Sequence, residues 1–197
     1  MASTTPVCAN DNGRVMLHRL VVGCLLWAFA GFVQAGDFRV TDLTPRFETG
    51  LLVVDAELRY ELSEKANQAL ANGLPLIIEQ TLRVERQRTM WFNAAMLTQE
   101  RRYRLQFHAL SRRYVLTRLE TGESRSFRDQ QALLNSLGRV EGWPVMRVSA
   151  LEEIRPVQVV FSTELARDEL PRLLRMAAWF DTQWQLRGGP LVREVPQ

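Results

Sequence analysis

The residues best equipped for chemistry lie between Arg101 and Leu116, in RRYRLQFHALSRRYVL, where arginines interleave with tyrosines and a phenylalanine. Such a mixture can grip phosphates and stack bases. It can equally form the wet face of an ordinary β-sheet. His108 lies inside this stretch, while the other histidine, His18, and both cysteines, Cys8 and Cys24, fall in the first 35 residues. Transition-metal sites draw on clusters of Cys and His. The chain beyond residue 35 holds no such set, so no metal is expected and His108 reads as a surface residue on a polar strand face. A Ser-His-Asp arrangement would lack the G-x-S-x-G elbow. An opposed pair of carboxylates for glycoside-type hydrolysis can be nominated from Glu79 and Glu85 or from Glu57 and Glu61, but each pair also reads as part of a charged strand face. Neither a G-x-G-x-x-G fingerprint nor a P-loop occurs. No catalytic, cofactor-binding or metal-binding residue is assigned on these grounds, and no cofactor is expected.

Trp91 and Phe92 raise a different question. They sit in a break between two strand-like segments, where aromatic rings either fold back to cap the end of a sheet or stand out as anchors. Amphipathic rings suit a partner protein or a membrane interface, so Trp91 and Phe92 are the candidate contact residues. Trp143, next to Pro144, poses the same alternative.

The first 35 residues differ from the rest. Arg14, His18 and Arg19 precede LVVGCLLWAFAGFV, an uncharged run from Leu20 to Val33, and Val33-Gln34-Ala35 then leads into Gly36. A positive start, a short apolar run and a small-residue cleavage site describe a secretory signal peptide. The expectation is cleavage after Ala35, or retention of residues 1–35 as an uncleaved anchor, with Met1 or Met16 as the start. The run is short for a membrane span of about 20 residues. The mature chain then carries no cysteine and suits an oxidising compartment without a disulfide. Loss of Arg14, Arg19 and Asp11 leaves 23 basic and 21 acidic residues, a nearly neutral balance. Nucleic-acid-binding domains concentrate basic residues without matching acids, so nucleic acid is not the expected partner.

Residues 36–197 are long enough for one core and read as a single α+β domain on a curved antiparallel β-sheet with two or three short helices. Leu52, Val54, Ala56, Leu58, Tyr60 and Leu62 alternate with charged residues after a turn at Thr49-Gly50, the signature of a half-buried strand. Ser63 is placed to cap a helix over 64–72 that Gly73 ends. Leu76, Ile78, Leu82 and Val84 share one face of the next strand, and Tyr103, Leu105 and Phe107 one face of the strand after the break. If these two pair, acids of the first meet arginines of the second on the outer face. The segment from Arg112 to Leu119 runs back as a further strand. A helix is expected over 128–137 with Ser126 as cap, a weakly periodic stretch from Glu141 to Pro156, a strand at Val157, Val159 and Phe161, a helical or mixed segment over 168–180, and a last short strand at Trp184 and Leu186 before a Gly188-Gly189-Pro190 tail.

Four blocks, ANGLPLIIEQTLRVERQRTMWF, RYRLQFHALSRRYVL, FRDQQALLNSLGRVEGWPV and ELPRLLRMAAWFDTQWQL, occur in this order, and together they resemble the DUF4390 family of proteobacterial proteins. The likeness spans nearly all of residues 37–187. It implies signal-peptide-bearing proteins of unknown function, some labelled proline-rich signal peptide proteins and often encoded near a sensor histidine kinase. It transfers no catalytic residue. The resulting expectation is an exported, non-enzymatic accessory or binding protein, periplasmic or attached to the periplasmic face of the inner membrane, with an envelope protein or the membrane surface as partner and a link to a sensor kinase. The alternatives are a carboxylate-based periplasmic hydrolase and, if the leader is misread, an RNA-binding protein.

Overall fold

Alternation of apolar and charged residues builds the opening hairpin. Strand β1 (Asp37–Glu48) pairs with β2 (Leu51–Glu61), whose Leu52, Val54, Ala56, Leu58 and Tyr60 are buried while Glu57, Arg59 and Glu61 stay in water. Thr49 and Gly50 connect them with φ of 51° and 76°. A two-residue loop with both φ positive matches the twist of its flanking strands, which is why a glycine stands there. The computed structural model describes residues 36–86, 94–152 and 156–196. The leader and the pair Trp91 and Phe92 lie outside the described residues.

Helix α1 (Glu64–Ala71) begins as its sequence indicates. The Ser63 hydroxyl accepts from the Ala66 N–H at 3.3 Å, satisfying one of the free amides of the first turn. Gly73, at φ 80°, lies just past its end. Then β3 (Leu76–Arg86) and β4 (Ala94–His108) pair, followed by β5 (Arg113–Arg118), β6 (Ser124–Phe127), α2 (Gln130–Leu137), β7 (Arg139–Arg147), α3 (Val148–Glu152), β8 (Val157–Leu165), α4 (Arg172–Phe180) and β9 (Arg187–Glu194), with single 3-10 turns before and after α4. The described residues belong to one compact unit, Gln34–Gln197.

Strand predominates among the described residues, and the expected α+β class on antiparallel sheet holds. The strands divide between two sheets, one ordered β1-β2-β7 and the other β6-β5-β4-β3-β8-β9. Each sheet has one apolar face, and two such faces bury one another. On one side the sheets close up, because β1 lies against β9. Gly188 permits that approach, since a Cβ there would stand 2.6 Å from the Phe38 carbonyl oxygen. On the other side β7 forms no ladder with β4, β5 or β6, and α2 fills the gap, touching β2, β5, β6 and β7.

A buried polar chain ties the sheets together. Thr163 Oγ1 donates to the Glu79 carbonyl at 2.9 Å, so the Tyr60 hydroxyl, 3.0 Å away, donates to Thr163. Gln80 Nε2 in turn donates to the Tyr60 oxygen at 2.9 Å and to the Leu137 carbonyl at 3.1 Å. This network joins β2, β3, β8 and the end of α2 at the centre of the core.

Three local expectations are corrected. The weakly periodic stretch from Glu141 contains strand β7, whose pairing with β2 shifts register twice. Each bulge moves the following side chains to the opposite face, so Val140, Trp143 and Val145 are buried at irregular spacing. Pro144 is tolerated because β7 is an edge strand. The cap of α2 is Asp129, whose carboxylate accepts from the Ala132 N–H at 2.7 Å, whereas Ser126 belongs to β6. Finally, Trp184 ends a 3-10 turn, and the expected tail is strand β9, again an edge where proline costs no ladder bond.

Candidate functional site

The open side of the sheets holds a cleft of about 280 Å³ whose walls come from β4, β5 and β6 on one side and from the end of α2 and the start of β7 on the other. Strand parity positions its basic lining. Along β4, residues 101, 103, 105 and 107 share the inward face; Leu105 is fully buried, and towards the start of the strand that face passes to Tyr103 and then Arg101. Tyr103 pairs with Arg118 and Leu105 with Leu116, so Arg118 also points inward, and Leu116 pairs with Arg125 on β6. Arg139 approaches from β7.

These four arginines have different surroundings. Arg125 pairs with Glu123 at 3.0 Å and is largely exposed. Arg118 lies 3.6 Å from Glu120, and its Nε is buried without a hydrogen-bond partner. Arg101 has no carboxylate within ion-pair distance among the described residues. Its guanidinium lies over the Trp143 ring, 3.8 Å from the centroid. Burial, and then the neighbouring charge of Arg118, hold Arg101 below its ordinary pKa. A guanidinium nevertheless remains protonated in a protein. The cleft thus keeps two mutually repelling cations close together in partial shelter from water, with Glu120 beside them and Glu123 and Glu141 in the lining.

Trp143 is the floor of this arrangement. It is 2% exposed, sits edge-on to Phe161 with centroids 5.8 Å apart, and donates from Nε1 to Gln99 Oε1 at 2.6 Å. Gln99 Nε2 donates back to the Val145 carbonyl at 3.2 Å. The indole is therefore held in the core by packing and by a hydrogen bond, with its face turned to Arg101. Between the two alternatives posed for Trp143, the structure selects packing.

The arginine stretch at 101–116 consequently divides. Arg102 and Arg104 lie on the exposed outer face of the large sheet. Expected partnership with the acids of β3 is met in only one register position, Glu79 opposite Arg102, because Arg104 faces Ile77. Arg102 makes its ion pair with Glu169, at 3.5 Å. Glu79 is instead pushed above the ordinary carboxylate range by burial and by Glu100 and Glu164 beside it. Glu85 lies farther along β3, accepts from Gln158 at 3.1 Å, and sits 3.6 Å from Arg83. Glu57 and Glu61 are exposed along β2, and His108 is exposed at the end of β4. None of these candidates lines the cleft. Among the described residues, no group of three or more His, Cys, Asp or Glu is placed to hold a metal, and no helix is long and apolar enough to cross a membrane.

The inward arginines were accessible to sequence reasoning only in part. Extending the alternation of Phe107, Leu105 and Tyr103 back by one step reaches Arg101, but a charged residue there looks like the end of an apolar face. Nothing in the local pattern identifies Trp143, 42 residues on, as its stacking partner.

Two antiparallel sheets thus enclose one core and leave, along one side, a cleft lined by arginines together with Glu123 and Glu141. The chain matches the family described as Domain of unknown function (DUF4390) over residues 35–190 and belongs to that family. No curated protein and no solved structure matches it.

Proposed function

We propose that the chain is an exported, non-catalytic binding protein of the bacterial envelope, and that it holds an oxyanion group of its ligand, a carboxylate or phosphate, between Arg101 and Arg118. The observation that carries this reading is the Arg101 guanidinium, stacked on a buried indole and without a carboxylate partner among the described residues, beside an Arg118 Nε left without a hydrogen bond. Two planar forks in a sheltered cleft suit bidentate recognition of such groups. An incoming anion would relieve their repulsion. The envelope part of the reading is supported by the leader-like opening residues. A link to a sensor kinase would make the ligand or partner part of a signalling system.

The test is a titration of the purified protein with inorganic phosphate and with succinate at constant ionic strength, read by thermal unfolding, for wild type and Arg101→Ala/Arg118→Ala. Saturable stabilisation lost in the double variant is expected. Equal shifts in both proteins mean that the cleft is not the site. Cell fractionation with intact mass tests the export reading; a full-length soluble cytoplasmic product overturns it.

A further inference from the structure

The largest exposed apolar side chains gather at one end of the six-stranded sheet. Leu110 is 105% exposed in the β4–β5 turn, and Met176, Trp179 and Phe180 on α4 are 72%, 64% and 88% exposed. Register brings these distant segments to the same end. The end of β4 pairs with the start of β3, Leu105 opposite Leu76, and the end of β8 pairs there too, Leu165 opposite Ile78. The β4–β5 turn and the β8–α4 connection therefore emerge together.

Two further features share that end. Arginines surround the apolar residues: Arg112 beside Leu110, Arg172 and Arg175 on α4, and Arg167 with its guanidinium 5.7 Å from the Trp179 centroid. None of these four is ion-paired with a carboxylate among the described residues; of the nearby acids, Glu169 and Asp181 are paired, with Arg102 and Lys65 respectively, while Asp168 is exposed and makes no ion pair among the described residues. The chain also enters the domain here. Gly36 packs against the backbone of Ser63, two residues before the Lys65 that pairs with Asp181 at the end of α4. In sequence, the apolar run to Val33 stops three residues before Gly36.

We infer that this end of the domain docks on an anionic phospholipid surface. Trp and Phe are favoured at the boundary between headgroups and acyl chains, and apolar residues flanked by arginines characterise helices that lie in that boundary. Arginines without a carboxylate partner among the described residues complement the negative potential of anionic headgroups. The complementarity of these arginines to anionic headgroups and the entry of the chain from an apolar run at the same end favour the lipid over an aqueous protein partner. This surface uses none of the cleft residues, so its fate is separate from that of the oxyanion site.

The test uses the full chain with vesicles containing phosphatidylglycerol or only phosphatidylcholine, each with and without brominated acyl chains. Trp179 contact is read as the quenched fluorescence that disappears in Trp179→Phe, which separates it from the other tryptophans. Quenching of the Trp179 component in the anionic vesicles is expected, with a reduction on the order of tenfold in its apparent affinity for Arg112→Glu/Arg172→Glu. The exposed positions leave thermal unfolding unchanged. A Trp179 component unquenched in anionic vesicles, or equally quenched in phosphatidylcholine, overturns the inference. So does a copurifying protein that shields Trp179 while vesicles do not.

Discussion

The guanidinium of Arg101 on β4 lies over the indole of Trp143 on β7, 3.8 Å from its centroid, and so links an interior strand of the larger sheet to the edge strand of the other, with which it forms no backbone ladder. The two residues contribute unequally. Trp143 is buried and hydrogen-bonded to Gln99, so Trp143→Ala is expected to destabilise by roughly 3 to 5 kcal/mol, the range for removing a large buried aromatic. Arg101→Ala forfeits a half-exposed stacking interaction of roughly 0.5 to 2 kcal/mol. Urea unfolding of the two single variants checks this order. Comparable losses would mean that Arg101 is mainly a structural clamp.

Tyr60 and Thr163 act through a shared proton arrangement. Because Thr163 donates to Glu79, the Tyr60 hydroxyl must donate to Thr163 and accept from Gln80. Tyr60→Phe is expected to lower stability by about 1 to 2 kcal/mol, since it removes a buried hydroxyl and leaves its partners short. Thr163→Val should cost a similar amount by leaving the phenol without an acceptor. The double variant should cost less than the two together, because contacting residues couple. A double-mutant cycle by chemical denaturation measures this, and strict additivity would disprove the network.

Glu79 predicts a pH dependence of opposite sign to that of a salt-bridged acid. Its pKa is raised by burial and by Glu100 and Glu164, so the native state holds the proton more tightly than the unfolded chain. Its favourable contribution is fully present below the ordinary glutamate pKa and is lost as pH rises through the folded value. At neutral pH the ionised carboxylate therefore opposes folding. Glu79→Gln should stabilise the protein there by roughly 0.5 kcal/mol, a magnitude kept small by solvent screening, and the gain should vanish below about pH 4. Unfolding curves across that range decide it; a gain that persists in acid would assign the effect to packing.

Sequence alone determined the features that depend on neighbours in the chain. The alternation from Leu52 to Tyr60 specified a strand with one dry face, Thr49-Gly50 specified its turn, and Ser63 specified a helix start, because side-chain period, backbone φ and capping are local properties. The joint order of four blocks also identified the family. Tertiary structure decided the rest. Bulges in β7 erased the periodicity that would have revealed a strand, since one extra residue reverses every following side chain. Register decided that Arg102 meets Glu79 while Arg104 meets Ile77, and topology decided that β7 should bring Trp143 beneath Arg101. Both the cleft and the arginine-ringed apolar end join residues far apart in the chain. Their composition was present in the sequence, but the proximity that gives it meaning exists only once the two sheets have closed around their core.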